Sequence, residues 1–262
     1  MTESPKIMPH TVAVAGPPGS GKTAWIAKQA EALAQSNPLY WGLGGTGTTL
    51  DGLLLASQCP NLELVTEPTP QVFQDVIAQH RPLLIEIDSS VDLAQLAFPV
   101  GLKAEKVALL PEGWQSQELA DWSDRLLPAE LAISTQPLAA AAQICAVELT
   151  GQVFDPHSLD VLWQEITGGA YGSVHRAKGV FCIADGPVFY FSYVNGHEST
   201  YTRLNLGPCL DGRPSYPSAL EVTGHELDAK AIVATAQDCI LSDELLKQHQ
   251  TQLKAMQQEY AS

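Results

Sequence analysis

Basic residues are scarce in this sequence. Of its 262 residues, 14 are Lys or Arg and 29 are Asp or Glu, which gives a formal net charge of −15. A surface this negative repels nucleic-acid backbones and anionic lipid. We therefore expect neither nucleic acid nor a membrane as a partner, whereas metal cations and basic proteins stay open.

Cysteine is also sparse, and we expect neither a signal peptide nor a membrane-spanning helix. The five cysteines lie far apart without a C-x-x-C pair, which disfavours a disulfide framework or a cysteine zinc site and fits a reducing compartment. The opening residues MTESPKIMPH lack the apolar region of a signal peptide. No run reaches the roughly 18 apolar residues of a membrane-spanning helix. We expect a cytoplasmic protein. The cysteines are Cys59, Cys145, Cys182, Cys209 and Cys239.

Apolar residues, in contrast, are plentiful enough to form a core. Hydrophobic residues make up 45% of the chain and charged residues 16%, a composition typical of soluble globular proteins. At this length the chain can form one large domain or two modest ones.

The most specific motif is GPPGSGKT at 16–23, which fits the pattern G-x-x-x-x-G-K-[ST]. The preceding TVAVAG is typical of a buried parallel strand, and the following AWIAKQAEALAQ is typical of a helix. In this order the loop amides and the helix N-terminus point at phosphate groups. Lys22 is predicted to reach the β- and γ-phosphates, and the Thr23 hydroxyl is predicted to bind Mg²⁺. The residues predicted to contact the nucleotide are Gly16, Pro17, Pro18, Gly19, Ser20, Gly21, Lys22, Thr23 and Ala24.

A second glycine cluster follows in WGLGGTGTTLDGLLL. Gly42, Gly44 and Gly47 have the G-x-G-x-x-G spacing of dinucleotide-binding loops. Such a site needs its own strand, and the first strand already leads into the phosphate loop. We therefore interpret the segment as a mobile loop that senses the nucleotide, and we include Asp51 among the predicted metal ligands. The residues that could approach Mg²⁺ or the γ-phosphate, with no choice among them, are Thr46, Thr48, Thr49 and Asp51.

A second strand with an acidic end is predicted in RPLLIEIDSS. P-loop proteins place an acidic residue at such a strand end, beside the phosphate loop, to hold Mg²⁺ through water. A carboxylate buried there needs a partner. We predict Glu86 as the acid on the metal side and Asp88 as a residue that positions water, so the predicted catalytic set is Lys22, Glu86 and Asp88. The alternative is an ordinary strand end exposed to solvent.

These segments resemble the CobW family of P-loop GTPases and metal chaperones. HTVAVAGPPGSGKTAWI is similar to the family's opening strand and phosphate loop, GTTLDGLLL to its switch segment, and LLIEIDSSVDLAQL to its acidic strand. VHRAKGVFCIADGPVFYFSYVNG and YPSALEVTGHELDAKAIVATAQDCILSDE resemble its second domain. The resemblance implies a P-loop domain with a mainly parallel sheet flanked by helices, followed by a small α+β domain. It also implies a purine nucleoside triphosphate with Mg²⁺, and metal delivery or assembly work on a client protein.

Three departures from the family pattern bear on function. Where the family has a C-x-C-C metal motif, CPNLELVTEPTP contains the single Cys59, so thiolate binding of zinc or cobalt is not predicted. Where the family has the guanine motif N-K-x-D, this chain has TQPLAA, so the sequence does not choose between GTP and ATP. Asp88 and Ser89 replace the small hydroxyl residue and the glycine expected after Glu86, so hydrolysis and switching are predicted to be weak.

The order of the elements predicts two domains and a terminal helix. Strands alternate with helices through about residue 165, which is typical of a parallel sheet, and the glycine-rich TGGAYGS at 167–173 is the predicted boundary. We assign residues 1–166 to a P-loop nucleotide-binding domain, 174–241 to a CobW C-terminal-like α+β domain, and 242–262 to a C-terminal helix.

The histidines are scattered along the chain. His175 and His197 flank a strand-rich segment, and His225 lies in TGHELD. Imidazole serves many roles, and the commoner interpretation of each is a surface or hydrogen-bonded histidine. Metal binding by one of them is the alternative.

Two functions remain open. The first is a CobW-like protein that binds Mg²⁺ with GTP or ATP, hydrolyses it slowly as a nucleoside triphosphatase, and acts on a client protein. The second is a degenerate, non-hydrolysing relative that serves as a binding or scaffold module. A small-molecule kinase is a weaker third interpretation, because no arginine-rich lid segment is evident.

Overall fold

The computed structural model describes residues 11–44, 50–129 and 142–261. Within these ranges every helix is too short or too polar to cross a membrane. The helices are α1 (Lys22–Ala32), α2 (Leu50–Gln58), α3 (Pro70–Gln79), α4 (Gln117–Trp122), α5 (Pro156–Thr167), α6 (Ala229–Asp238) and α7 (Asp243–Ala261). The strands are β1 (Thr11–Ala15), β2 (Leu39–Leu43), β3 (Glu63–Leu64), β4 (Leu83–Ile87), β5 (Glu105–Leu110), β6 (Arg125–Pro128), β7 (Gln143–Glu148), β8 (Val153–Phe154), β9 (Ser173–Ile183), β10 (Val188–Val194), β11 (Thr200–Arg203) and β12 (Ala219–His225).

The first six strands form one parallel sheet in the order β3-β2-β4-β1-β5-β6. Every residue of β1 and β4 is buried, as expected for central strands of a parallel sheet that is covered on both faces. Val14 of β1 lies between Glu86 of β4 and Val107 of β5 in the register. The carboxyl ends of the two predicted site strands, β1 and β4, are therefore neighbours.

Helices cover both faces of this sheet, because successive residues of each strand point to opposite faces. One core cluster joins Ala13 of β1 to Phe73 of α3 and Trp122 of α4. The other joins Val14 to Ile26 of α1 and to α2. The predicted fold class, a mainly parallel sheet flanked by helices with an α+β unit after it, is confirmed. The sheet of that second unit also has six strands.

Short polar side chains mark where several helices begin. Thr69 and Asp155 each accept a hydrogen bond from the backbone amide three residues on, and each is followed by proline, a combination favoured at helix N-termini. Asp228 caps α6 in the same way. The amide and the hydroxyl of Ser158 lower the pKa of the Asp155 carboxyl, so this cap stays charged.

The later strands form a second sheet of a different kind. Its order is β11-β10-β9-β12-β7 with antiparallel neighbours, and β8 pairs with β9 in parallel. One face packs on α5 and α6 through a cluster that contains Trp163, Phe181, Phe191 and Ile232. The Trp163 and Phe191 rings meet edge to face with centroids 5.2 Å apart, a favoured aromatic geometry.

The contacts between residues divide the chain into two compact units. One comprises Met1–Gly47 and Asp51–Ile133, and the other comprises Thr48–Leu50 and Ser134–Ser262. The predicted boundary at 167–173 lies inside the second unit. The reason is that β7 and β8 pair with strands of the antiparallel sheet, although in the sequence they continue the alternation of strands and helices.

The Lys178–Glu221 ion pair of the second sheet gives a test of its register. The two residues are directly opposite on β9 and β12, their charged atoms lie 2.9 Å apart, and their side chains are only 13% and 11% exposed. Breaking a buried pair leaves an uncompensated charge, at a cost of about 3 kcal/mol. We expect Glu221→Gln to lower the free energy of unfolding by about that amount in urea denaturation.

The matched control is Asp211→Asn. It breaks the Lys254–Asp211 pair, whose side chains are 46% and 96% exposed, and such pairs contribute less than about 1 kcal/mol. Equal destabilisation by the two variants would contradict the buried pairing.

Candidate functional site

The loop between β1 and α1 has the backbone shape that its glycines permit. Gly19 and Gly21 have φ values of 81° and 83°, a region that glycine enters without a steric penalty. The Ser20 amide donates to the Pro17 carbonyl at 3.1 Å, and α1 begins at Lys22 directly after Gly21. The loop therefore turns back over the N-terminus of α1, where unpaired amides and the helix dipole favour an anion.

Gly16 is required by close packing. A Cβ at this position would lie 2.6 Å from the Leu109 carbonyl oxygen of β5 and 2.7 Å from Ser20 Oγ. Ser20 is 1% exposed, and its hydroxyl has no hydrogen-bond partner among the described residues. A buried hydroxyl without a partner is costly, so this loop is built around a polar group that can still accept or donate one hydrogen bond.

The Lys22 side chain folds over the same loop. It is 6% exposed, and Nζ donates to the carbonyl oxygens of Gly16 at 2.8 Å and Pro17 at 3.4 Å. The ammonium group is thereby held against the loop backbone. A buried lysine at this point supplies positive charge beside the N-terminus of α1.

Glu86 on β4 is hydrogen-bonded to the first turn of α1. The residue is 8% exposed, and its carboxylate accepts from Thr23 Oγ1 at 3.0 Å and from the Tyr40 hydroxyl at 3.1 Å. Burial of a carboxylate is costly unless it is hydrogen-bonded or paired with a cation, and these two hydroxyls meet part of that requirement. The structure thus brings Lys22, Thr23 and Glu86 of the predicted site to one end of the parallel sheet.

Tyr40 is a site residue that was not predicted from the sequence. It lies on β2 next to β4, where Gly42 rather than Tyr40 is the residue in register with Glu86. The only signal in the sequence was a tyrosine in a strand otherwise typical of the core. Buried tyrosines need a partner for the hydroxyl, and Tyr40 is 3% exposed, so a polar partner could have been expected but not identified.

The remaining predicted residues have different surroundings. Asp51 lies in the first turn of α2 and is 9% exposed. Asp88 Oδ1 accepts hydrogen bonds from the amide and the hydroxyl of Ser90 at 2.9 Å and 2.7 Å, so its carboxylate belongs to a tight turn after β4. The roles of both in metal binding or catalysis stay predictions. Thr46, Thr48, Thr49 and the TQPLAA segment lie outside the described residues.

Cysteine chemistry contributes little at this end of the molecule. Cys59 is half-buried, and its thiol donates to the Ala27 carbonyl at 3.8 Å. Burial, and secondarily the charge of Glu31, raises the pKa of the Cys59 thiol, so little thiolate forms at neutral pH. Across 11–44, 50–129 and 142–261, no cluster of three or more His, Cys, Asp or Glu side chains has a spacing suited to a metal.

The topology explains why the site lies where it does. From β1 the chain continues towards the β2-β3 edge, whereas from β5 it continues to β6 at the opposite edge. Adjacent strands whose connections diverge leave a crevice at their carboxyl ends, and open α/β sheets bind ligands there. The 16–21 loop lies at this point, beside Leu109 of β5.

No protein-family model matches the chain. Among curated proteins, an N-(5'-phosphoribosyl)anthranilate isomerase from Methanothrix thermoacetophila is 30% identical over 103 residues, which is 38% of this chain and 49% of that protein. The chain thus spans about half the length of this curated relative, which is too little to assign a family.

Two solved structures align over most of the chain. One is the Zn(II)-bound YjiA GTPase from E. coli, and the other is a Zn(II)-bound triple mutant of that GTPase. Each covers 87% of this chain and 99% of its own, with 12% and 15% sequence identity and a TM-score of 0.33. A likeness this weak does not bear on the fold or the function of this chain.

The close contact at Gly16 gives a prediction. A methyl group there would collide with the Leu109 carbonyl and Ser20 Oγ, and overpacking of this kind costs about 1–3 kcal/mol. We expect Gly16→Ala to lower the free energy of unfolding by that amount, measured by urea denaturation. The control is Gly207→Ala, because a Cβ at Gly207 would meet no atom within 4 Å. Equal stability of the two variants would show that the loop does not pack on β5 as described.

Proposed function

We propose that this protein binds a purine nucleoside triphosphate with Mg²⁺ at the loop of residues 16–23. The observation that carries the proposal is the hydrogen bond from Thr23 Oγ1 to Glu86 Oε1 at 3.0 Å. It joins the hydroxyl predicted to bind the metal to the carboxylate predicted to hold it through water. These two residues are 63 positions apart in the chain, so the fold brings them together and the local sequence of the motif does not.

The phosphate side of the proposal is supported by charge and by backbone shape. Lys22 supplies a buried ammonium group, Gly19 and Gly21 permit the turn of the loop, and the N-terminus of α1 adds a partial positive charge. Such groups bind phosphate oxygens and stabilise charge on a transferring phosphoryl group. In the bound state, we propose, Lys22 Nζ exchanges its bonds to the Gly16 and Pro17 carbonyls for bonds to phosphate.

The metal side of the proposal is supported by the available oxygen atoms. Thr23 and Glu86 present a hydroxyl and a carboxylate, which are hard ligands suited to Mg²⁺. Bound Mg²⁺ would neutralise charge on the β- and γ-phosphates. Tyr40 donates to Glu86 Oε2 and orients the carboxylate so that Oε1 faces Thr23. Asp51 is a further candidate ligand.

We infer that the biological output is CobW-like: a nucleotide-dependent step, in the cytoplasm, that delivers metal to a client protein or assembles it. This part rests on the sequence resemblance of the phosphate loop, the acidic strand and the C-terminal segments. The nucleotide is GTP or ATP, and hydrolysis is slow.

A second candidate function is favoured by the surroundings of Asp88. Its Oδ1 already accepts two hydrogen bonds from Ser90, which hold the carboxylate in a turn rather than leave it to position a water molecule. A protein that binds nucleotide without hydrolysing it, and serves as a scaffold, fits this arrangement. Phosphate release by the wild type well above that of Lys22→Ala would exclude the scaffold and support the slow triphosphatase.

Nucleotide binding is tested by calorimetry with GTP and with ATP, each with Mg²⁺. The wild type should bind one or both, and Lys22→Ala should weaken binding at least about tenfold, or about 1.4 kcal/mol, because a buried charge next to the phosphates is removed. Lys28→Ala is the matched control, since Lys28 lies on an exposed position of the same helix. The proposal would be contradicted if the wild type bound neither nucleotide. It would also be contradicted if Lys22→Ala and the wild type bound with equal affinity.

The role of Tyr40 is tested through the dependence on Mg²⁺. Hydrogen bonds to charged groups contribute about 1.5–3 kcal/mol, so Tyr40→Phe should raise the Mg²⁺ concentration needed for half-maximal nucleotide binding about tenfold. Nucleotide affinity in the presence of a chelator should change little, because the phosphate contacts do not involve Tyr40. Tyr201→Phe is the control, as Tyr201 lies on β11 and is 50% exposed. An unchanged Mg²⁺ requirement would show that Tyr40 only packs.

A further inference from the structure

Two cysteines of the second unit lie against one backbone carbonyl. Cys182, near the end of β9, places Sγ 4.0 Å from the Gly186 carbonyl oxygen. The backbone amide of Cys209 donates to the same oxygen at 3.2 Å. Because both contacts converge on one oxygen, the sulfur of Cys182 and the backbone of Cys209 are neighbours. The irregular segment between β11 and β12 brings them together, and no local motif does.

Gly186 makes this approach possible. It has φ of 93°, a region that glycine enters without a steric penalty. A Cβ at this position would lie 2.8 Å from Leu210 Cδ2 and 3.2 Å from Pro208 Cβ. The segment after β11 thus packs directly on the turn between β9 and β10, and Cys209 lies between the two residues that make the contact.

The two thiols differ in their access to solvent. Cys209 is half-buried, whereas Cys182 is fully buried. Burial raises the pKa of the Cys182 thiol, the Tyr216 hydroxyl acts in the opposite direction, and the charge of Cys209 raises it again. The Tyr216 hydroxyl is itself buried and makes no hydrogen bond of normal geometry among the described residues, so it can donate to a Cys182 thiolate. An oxidant from solvent meets Cys209 first, with Cys182 beside it.

The Cys209 thiol also contacts the residue that holds α7. Its Sγ lies 3.6 Å from the Gly212 carbonyl oxygen, and the side-chain amide of Gln250 on α7 donates to that same oxygen at 2.8 Å. Gln250 Oε1 in turn accepts from the Gly212 amide at 3.0 Å. Among the described residues of α7, only Leu246 and Gln250 are buried. The two hydrogen bonds to Gly212 are therefore a main attachment of this helix.

We propose that Cys182 and Cys209 form a reversible disulfide when the protein meets hydrogen peroxide, and that this bond loosens α7. In a reducing compartment such a disulfide is transient and regulatory rather than structural. The bond draws Sγ of Cys209 towards Cys182 and away from the Gly212 carbonyl. The segment 209–212 then shifts, and the hydrogen bonds between Gly212 and Gln250 lose their alignment.

The reaction consumes one molecule of hydrogen peroxide. The Cys209 thiolate attacks a peroxide oxygen, the O–O bond breaks, and a sulfenic acid forms while the leaving hydroxide takes up the thiol proton as water. The Cys182 sulfur then attacks the sulfenic sulfur, the S–S bond forms, and the hydroxyl leaves as water with the Cys182 proton. The two thiols together lose two electrons, and the peroxide gains them.

The bond is tested by brief treatment of the full chain with hydrogen peroxide, blocking of the free thiols and peptide mass spectrometry. The wild type should yield peptides linked through Cys182 and Cys209, and dithiothreitol should separate them. Cys59→Ser is the matched control and should form the same bond, because Cys59 is also half-buried but belongs to the first unit. Two free thiols after treatment, or a bond from Cys209 to any other cysteine, would overturn the proposal.

The effect on α7 is tested by hydrogen exchange. Because two hydrogen bonds at Gly212 are lost, the amides of α7 should exchange at least about tenfold faster in the oxidised wild type than in the reduced one. Cys209→Ser cannot form the bond and should keep its exchange rates after the same treatment. Unchanged exchange in protein that carries the disulfide would also contradict the proposal. The pair lies wholly in the second compact unit, so neither outcome depends on the proposed nucleotide function.

Discussion

The hydrogen bond between Thr23 and Glu86 is the contact on which the arrangement of the parallel-sheet site depends. It forms because β1 and β4 are parallel neighbours with Val14 opposite Glu86, so the first turn of α1 starts beside the end of β4. A buried carboxylate tolerates this position only with donors around it, and Thr23 and Tyr40 supply two. With α1 held in this way, Lys22 extends over the loop to the Gly16 carbonyl. One paired carboxylate thus orients the helix, the lysine and the loop together.

In each sheet a glycine lets backbone segments approach closely. In the parallel sheet, Gly16 lies against the Leu109 carbonyl, and in the antiparallel sheet, Gly224 lies against the Ser173 carbonyl. Any side chain at either position would force the strands or the loop apart. Lys22 is positioned by the loop backbone that the first of these approaches fixes. The candidate site therefore depends on how the loop of residues 16–21 packs against β5.

Fold alone does not determine function, so the side-chain geometry of the site decides what this protein can bind. A parallel sheet with helices on both faces hosts many chemistries. The features that narrow the choice are a buried ammonium group, a buried hydroxyl of Ser20 without a partner among the described residues, and a carboxylate that accepts from two hydroxyls. Together they favour an anionic ligand accompanied by a hard cation over an uncharged substrate.

The amino-acid sequence by itself determined the glycine-rich loop between a strand and a helix, the covered parallel sheet and the acidic strand end, because each is encoded locally. GPPGSGKT carries its glycines and lysine at fixed spacing, and strands such as LLIEI are apolar on both faces. Three features depended on the tertiary structure. Tyr40 reaches Glu86 across 46 positions, β7 and β8 join the second sheet instead of the first, and a bulge places His175 beside His225. Each depends on which strands pair and in which register, and a local pattern of residues does not contain that information.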